Sequence, residues 1–368
     1  MPARHSIFVT GATGFLGRET LTRLLAADSR LRVFALVRDL GRWTRVGRGL
    51  DDGRIVPVQG DLCADGLGLA PDVRARIAGE VTAIVHVAAN TSFSSPLDRA
   101  RAVNTLGTQR VLEIAADCVS AAHVAYVSTA FVAGRRTGVI AEDEHSANAG
   151  WVNAYEQSKY EAEQLVREQA SSWVILRSST VVCDDAGGRV TQTNAVHRAL
   201  ALYRKGLMAM MPGIAASTVD VVTTSYVADG IARLALRDDA VGKTVHLCAG
   251  DGALPLDELL DISYARWAAD PAWRGRGIAR PAITDLETYR LFERTIEDVA
   301  DASLKRIARA LSHFVPQLAL PKVFDTTNAQ ALLGCTAPPV REFWLPMLDH
   351  MLAAPNDAGA PDALARVA

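Results

Sequence analysis

Five residues from the start, the apolar run Ser6–Thr10 leads directly into Gly11-Ala12-Thr13-Gly14-Phe15-Leu16-Gly17 and then into the helix-period stretch Arg18–Ala27. A strand, a tight glycine turn and a helix in immediate succession admit few folds. Glycines let the backbone turn sharply and bring its amides close to a ligand, while the free N–H groups and positive dipole end of the helix stabilise negative charge. In this context the loop reads as a cradle for a pyrophosphate.

Further along the chain the theme repeats. Short apolar runs at Arg32–Val37, Arg54–Gln59, Ala83–Ala88, His123–Ser128, Trp173–Leu176 and Thr244–Cys248 alternate with helices of three to four turns. Such alternation builds βαβ units, and right-handed crossovers turn them into an α/β, doubly wound parallel (Rossmann) sheet with the ligand at its C-terminal strand ends. After Val182 the pattern changes to a helix at Ala195–Lys205, an extended piece at Thr218–Thr223 and a helix at Tyr226–Leu236. Beyond Gly250 it is mostly helical, with Leu256–Ala268 and Ser303–Phe314 as candidates. The expected organisation is a dinucleotide-binding domain over 1–182 to which 218–250 returns. A smaller, mostly helical substrate-side subdomain is expected from 183–217 and 251–352, and a flexible tail over 353–368.

At 368 residues, 49% hydrophobic and 22% charged, the chain can bury a large core, and a net charge of −2 gives no reason to bind nucleic acid. Five widely spaced cysteines and eight histidines show no ligand spacing, so reduced thiols and no metal are expected. The strongest apolar stretch, Leu207–Ala216, holds Pro212 and Gly213 and falls short of the roughly 18 residues a membrane span needs. Too little precedes the first strand for a signal peptide, which makes a cytoplasmic location the expectation. The basic aromatic stretch Trp267, Trp273, Arg274, Arg276 and Arg280 reads as an exposed loop, with contact to a phosphate as the alternative.

The choice of cofactor falls at the end of the second strand, about 20 residues past the last glycine. An acidic residue there would bind the adenosine ribose, but this chain has Arg38, followed by Asp39 and Arg42. A guanidinium grips a 2′-phosphate in bidentate fashion, so NADPH (NADP+) is expected. In the alternative, Arg38 is a solvated charge and Asp39 makes the ribose contact. Asp61 and Leu62, after the third strand, are placed to meet the adenine, and Ala88-Ala89, after the fourth, to let the cofactor pass closely.

Tyr155 and Lys159 open a helix four residues apart and share one face. A phenol with a pKa near 10 is a poor proton donor and acceptor at neutrality, and an adjacent ammonium together with an oxidised nicotinamide is expected to lower that value. Thr129, at the end of the preceding strand, can hold a substrate carbonyl together with the tyrosine. Each element alone is common, but three in this order on these structures are specific.

The glycine loop, Gly60-Asp61-Leu62, His86-Val87-Ala88-Ala89, Asn104-Thr105-Leu106-Gly107-Thr108, Val127-Ser128-Thr129 and Tyr155-x-x-x-Lys159 together resemble the extended, or atypical, short-chain dehydrogenases. Within that group the chain is most similar to the thioester reductase domains of polyketide and peptide synthetases and to fatty acyl-CoA reductases. A weaker echo of the acyl-CoA reductases lies in Val323-Phe324-Asp325-Thr326-Thr327-Asn328. One departure is Arg177-Ser178-Ser179-Thr180, where many relatives carry an Arg-Pro pair. The resemblance implies Thr129 as the oxyanion-binding hydroxyl, Tyr155 as the acid, and Lys159 as its activator and a ribose ligand. Asn104 is placed near the cofactor with a role more structural than catalytic.

The expected function is NADPH-dependent reduction of an acyl thioester, on CoA or a carrier protein, to the aldehyde, which a second hydride could take to the alcohol; the two outcomes stay open. With no carrier segment ahead of Ile7, the acyl group is expected in trans. The alternatives are a dehydrogenase of the same fold acting on a nucleotide sugar or an alicyclic alcohol or ketone, and a non-catalytic NADP(H)-sensing regulator.

Overall fold

The computed structural model describes residues 6–46, 53–119, 122–299, 305, 312 and 314–353. Its centre is a seven-stranded parallel sheet of β1 (Ser6–Thr10), β2 (Arg32–Val37), β3 (Ile55–Gln59), β4 (Val81–His86), β5 (His123–Thr129), β6 (Trp173–Ser178) and β7 (Thr244–Leu247), in the order β7-β6-β5-β4-β1-β2-β3. The order reverses between β1 and β4, which opens a crevice at their C-terminal ends. The strands are continuous apolar runs because both faces are covered. Ile7, Val9, Val85 and Val127 face one core, and Phe8, Ile84, Val124 and Tyr126 face the other, as the two-residue side-chain period requires.

Helices α1 (Phe15–Ala27), α2 (Leu40–Val46), α3 (Pro71–Glu80), α4 (Leu97–Asp117), α5 (Ala154–Gln169), α6 (Ala195–Lys205) and α7 (Thr224–Leu234) follow in chain order. They are succeeded by α8 (Leu256–Ala268), α9 (Leu286–Val299), α10 (Thr327–Leu333) and α11 (Val340–Ala353). The extended piece after α6 is two short strands, Thr218–Val219 and Val221–Thr223, the second of which pairs with Thr180–Cys183. The helix expected at Ser303–Phe314 falls mainly outside the described residues, as does the tail beyond Ala353. Among the described residues no helix is long and apolar enough to cross a membrane.

Near the C-terminus the chain forms a separate two-stranded sheet with the segment after β5. Lys322–Phe324 pairs in parallel with Gly138–Ile140, and the Glu142 carboxylate accepts the backbone N–H groups of Asn328 and Ala329 at the start of α10. A buried carboxylate at a helix N-terminus satisfies amides that have no partner within the helix. This anchor carries the segment from Phe314 to Phe324 past the C-terminal end of β5.

The basic aromatic stretch differs from the expectation of an exposed loop. Trp267 and Trp273 are buried, and Trp273 Nε1 donates to the Arg204 carbonyl at 2.8 Å. Arg280 is bound to Asp257 and Asp261. Aromatic contacts with Tyr203 and Tyr264 outweigh the local turn signals that suggested a loop.

Candidate active site

Gly11 adopts φ 77°, and a Cβ there would lie 2.7 Å from the Ala88 amide nitrogen. At Gly17 a Cβ would come within 2.1 Å of the Gly11 carbonyl oxygen. Only glycine lets the loop, the start of α1 and the Ala88-Ala89 segment approach this closely. Gly14 caps α1, whose first turn, with Phe15, Leu16 and Gly17, carries no acidic side chain, so its positive end is not neutralised from within. Thr13 on the loop and Phe15 and Leu16 at the start of α1 are half-buried. These residues fit a dinucleotide pyrophosphate.

At the end of β2 Arg38 is exposed. Asp39 Oδ1 accepts the Arg42 amide at 3.0 Å, which engages that carboxylate in starting α2. Asp61 Oδ1 likewise accepts the Cys63 amide at 2.8 Å, and Leu62 is buried against Gly107.

Asn153 caps α5 by accepting the Glu156 amide at 3.1 Å, which fixes where the helix begins and hence where Tyr155 points. Tyr155, Lys159 and Glu163 then recur every four residues on the buried face. The Thr129 side chain neighbours the Tyr155 phenol closely enough to lower its proton affinity. Lys159 Nζ donates to the Val127 carbonyl at 2.8 Å and lies 4.0 Å from the centre of the Tyr126 ring. The structure therefore brings Thr129, Tyr155 and Lys159 together at the C-terminal end of β5.

Burial dominates their electrostatics. Burial pushes the Tyr155 phenol up to about 12, against which the neighbouring Thr129 side chain acts. Burial also pushes Lys159 down to about 7, with the charge of Glu163 opposing. Burial is the largest effect on the phenol, and the tyrosine keeps its proton at neutral pH.

Asn104 is fully engaged. Its Oδ1 accepts the Asn90 amide at 2.8 Å, and its Nδ2 donates to the Asn90 carbonyl at 3.0 Å and to Ser158 Oγ at 2.9 Å. It ties the loop after β4 to α5 and acts on the site through that loop. A second chain of hydrogen bonds supports the same loop. Thr108 Oγ1 donates to the Asn104 carbonyl at 2.6 Å, His86 Nε2 lies 3.0 Å from that hydroxyl, and Nδ1 lies 2.5 Å from Thr10 Oγ1, which accepts the Ala88 amide at 3.3 Å. Burial holds His86 down at about 3, so it is neutral, and the hydroxyl directions make Nε2 its donor.

Sequence reasoning did not find the aromatic wall around Tyr155. The Phe93 ring lies 5.4 Å from that of Tyr155 and 6.4 Å from Phe131, and stacks at 6.4 Å on Phe314 from the returning C-terminal segment. Nor did it find the pair beneath the triad, in which Arg177, at the end of β6, grips Glu163 with Nε–Oε1 2.9 Å and Nη2–Oε2 2.7 Å. Both side chains are fully buried. Neither feature has a local sequence signal, since each joins residues from different elements.

Comparison with known proteins now decides the family. The NAD-binding family described as Male sterility protein matches residues 9–231. The chain belongs to that family. It is 34% identical over 163 residues to fatty acyl-CoA reductase 8 of Arabidopsis thaliana, a match covering 37% of this chain and 33% of that protein. It is 27% identical over 277 residues to a component of the linear gramicidin synthase of Brevibacillus parabrevis, covering 70% of this chain and 5% of the synthase chain. Among solved structures, the terminal R domain from the myxalamid PKS-NRPS biosynthetic pathway superposes with a TM-score of 0.77 at 26% identity, covering 96% of this chain and 91% of that one. The chain thus spans about a third of the plant reductase, a twentieth of the synthase and nearly all of the R domain. As a member of this family it binds a nicotinamide dinucleotide, for which the glycine loop is shaped.

Proposed function

We propose that the chain is an NADPH-dependent reductase of an acyl thioester, carried on CoA or on a carrier protein. The observation that carries this reading is that the Thr129–Tyr155 pair opens on an aromatic, apolar chamber formed with Phe93, Phe131 and Phe314. A nucleotide-sugar diphosphate calls for convergent basic groups, whereas an acyl chain calls for apolar walls. The similarity to an acyl-CoA reductase and to an R domain supports the same choice.

Bound along the glycine loop, the reduced cofactor supplies a hydride. Arg38 would hold its 2′-phosphate, a role supported by the engagement of Asp39 in the α2 turn. Asp61 and Leu62 would border the adenine, and Lys159 a ribose. The substrate carbonyl oxygen lies against Thr129 and Tyr155, and charge growing on it during reduction is stabilised by both hydroxyls. Tyr155, loaded with its proton at neutral pH, donates that proton to the oxygen. The resulting hemithioacetal breaks its C–S bond and releases an aldehyde and a thiol.

The test is to follow NADPH absorbance and free thiol together on acyl-CoA substrates. Thiol release in step with NADPH oxidation is expected. Turnover of ketones or nucleotide sugars with no thiol from any acyl thioester would overturn the substrate class.

A further inference from the structure

Beside the reaction centre lies a small cavity of about 40 Å³ whose lining includes Phe131, Val221, Phe314 and Phe324. It adjoins the catalytic pair, since the Phe131 amide donates to Thr129 Oγ1 at 3.3 Å and Phe314 stacks on Phe93, the neighbour of Tyr155. Two charged side chains interrupt the apolar wall, Asp220 and Lys322.

They are not equivalent. Both Asp220 oxygens are engaged by backbone, accepting the Ala249 amide at 2.8 Å and the Gly250 amide at 2.9 Å. Lys322 is 7% exposed, and its Nζ donates to Gln317 Oε1 at 2.8 Å, with the Leu320 carbonyl at 3.5 Å. The geometry among the described residues accounts for at most two of its three protons. The Gln317 amide continues inward, donating to Glu156 Oε1 at 2.5 Å, and Glu156 Oε2 accepts the Val152 amide at 2.9 Å ahead of α5. Lys322 is thereby held at the cavity wall by a string rooted beside Tyr155. Burial lowers it to about 8, with the charge of Glu156 opposing, so it is a cation at neutral pH.

A hydrocarbon chain filling this cavity would strip water from an ammonium and return nothing, at the cost of a desolvated polar group. A chain bearing an oxygen acceptor would replace that water. We propose that Lys322 is a specificity-determining residue that selects acyl groups carrying a hydrogen-bond acceptor several carbons from the thioester, over plain alkyl chains. The proposal rests on the thioester reading and deepens it.

Three CoA thioesters with six-carbon chains test it: hexanoyl-CoA, 5-oxohexanoyl-CoA and adipoyl-CoA. The wild-type protein should show kcat/KM about 100-fold higher for at least one of the two polar chains than for hexanoyl-CoA. The better of the two tells a neutral acceptor from a carboxylate. Lys322→Met should bring the three values within a few-fold of one another, by lowering the polar substrate and raising hexanoyl-CoA. A wild-type protein that handles hexanoyl-CoA as well as the polar chains, or a variant that loses the same factor on all three, overturns the proposal. The wild-type comparison stands even if the variant does not fold. Calorimetric binding of the same three thioesters with NADP+ gives the ranking without turnover. A preserved ranking with no thiol released would count against the thioester chemistry and leave Lys322 in its role, whereas equal binding would remove it.

Discussion

Replacing Glu163 by Gln keeps the size of the side chain and removes its charge from beneath the catalytic helix. Burial alone would raise the Glu163 carboxyl, but the charge and hydrogen bonds of Arg177 more than reverse this and hold it at about 2, against an ordinary 4.5. His145 Nε2 at 3.7 Å and Arg167 at 3.9 Å face the same carboxylate. A depression of this size corresponds to about 3 kcal/mol of stability at neutral pH. The same order follows from removing one partner of a buried pair and leaving the Arg177 guanidinium uncompensated, about 3–5 kcal/mol. Because the folded-state value lies below the unfolded one, the contribution is complete well above pH 4.5 and is lost as the pH falls toward 2. Urea unfolding of wild type and Glu163→Gln should therefore differ by about 3 kcal/mol at pH 7, and by less than half of that at pH 3. Glu163 is also the charge that raises Lys159 from within the protein. The alkaline limb of kcat/KM, expected near 7 from Lys159, should move to lower pH in the variant. A difference below about 1 kcal/mol at pH 7, or one that does not change with pH, would refute the reasoning.

Two further substitutions address the proposed roles. Tyr155→Phe should lower kcat by about 10²- to 10⁴-fold with NADPH affinity nearly unchanged, because the ring remains and only the proton donor is lost; dye-free fluorescence titration with NADPH checks the second part, and substantial residual turnover would take Tyr155 out of its role. Arg38→Ala should raise KM for NADPH by about 10- to 100-fold, from the loss of a charge-assisted contact of about 1.5–3 kcal/mol, and leave NADH little affected. Equal losses with both cofactors in initial-rate kinetics would make Arg38 a structural residue.

The parallel sheet was legible because its strands are buried on both faces and read as uninterrupted apolar runs, each followed by a helix-period segment. The edges of β4 were not. The run expected at Ala83–Ala88 begins at Val81, directly out of α3, and leaves the sheet after His86, where the chain turns toward Thr10 and the glycine loop. Thr129, Tyr155 and Lys159 could be read because helix spacing and strand ends are local properties. The Glu163–Arg177 pair, the stack of Phe314 on Phe93 and the Gln317–Glu156 bond join residues that no periodicity aligns, the last two far apart in the chain. The effect of burial on the proton affinity of Tyr155 was not legible for the same reason. The sequence displays the nearby lysine but not the depth of burial, and burial dominates.

The central claim is that a hydride reaches a thioester carbon held at Thr129 and Tyr155, and isotopic labelling tests it most directly. The protein would be incubated with an acyl-CoA and NADPH deuterated at the transferring position, and the acyl product analysed by mass spectrometry alongside free thiol. An aldehyde with one deuterium on its carbonyl carbon, or an alcohol with two, together with one thiol per acyl group, is the expected result. Oxidation of the labelled cofactor with no deuterium in any acyl product and no thiol released would contradict it.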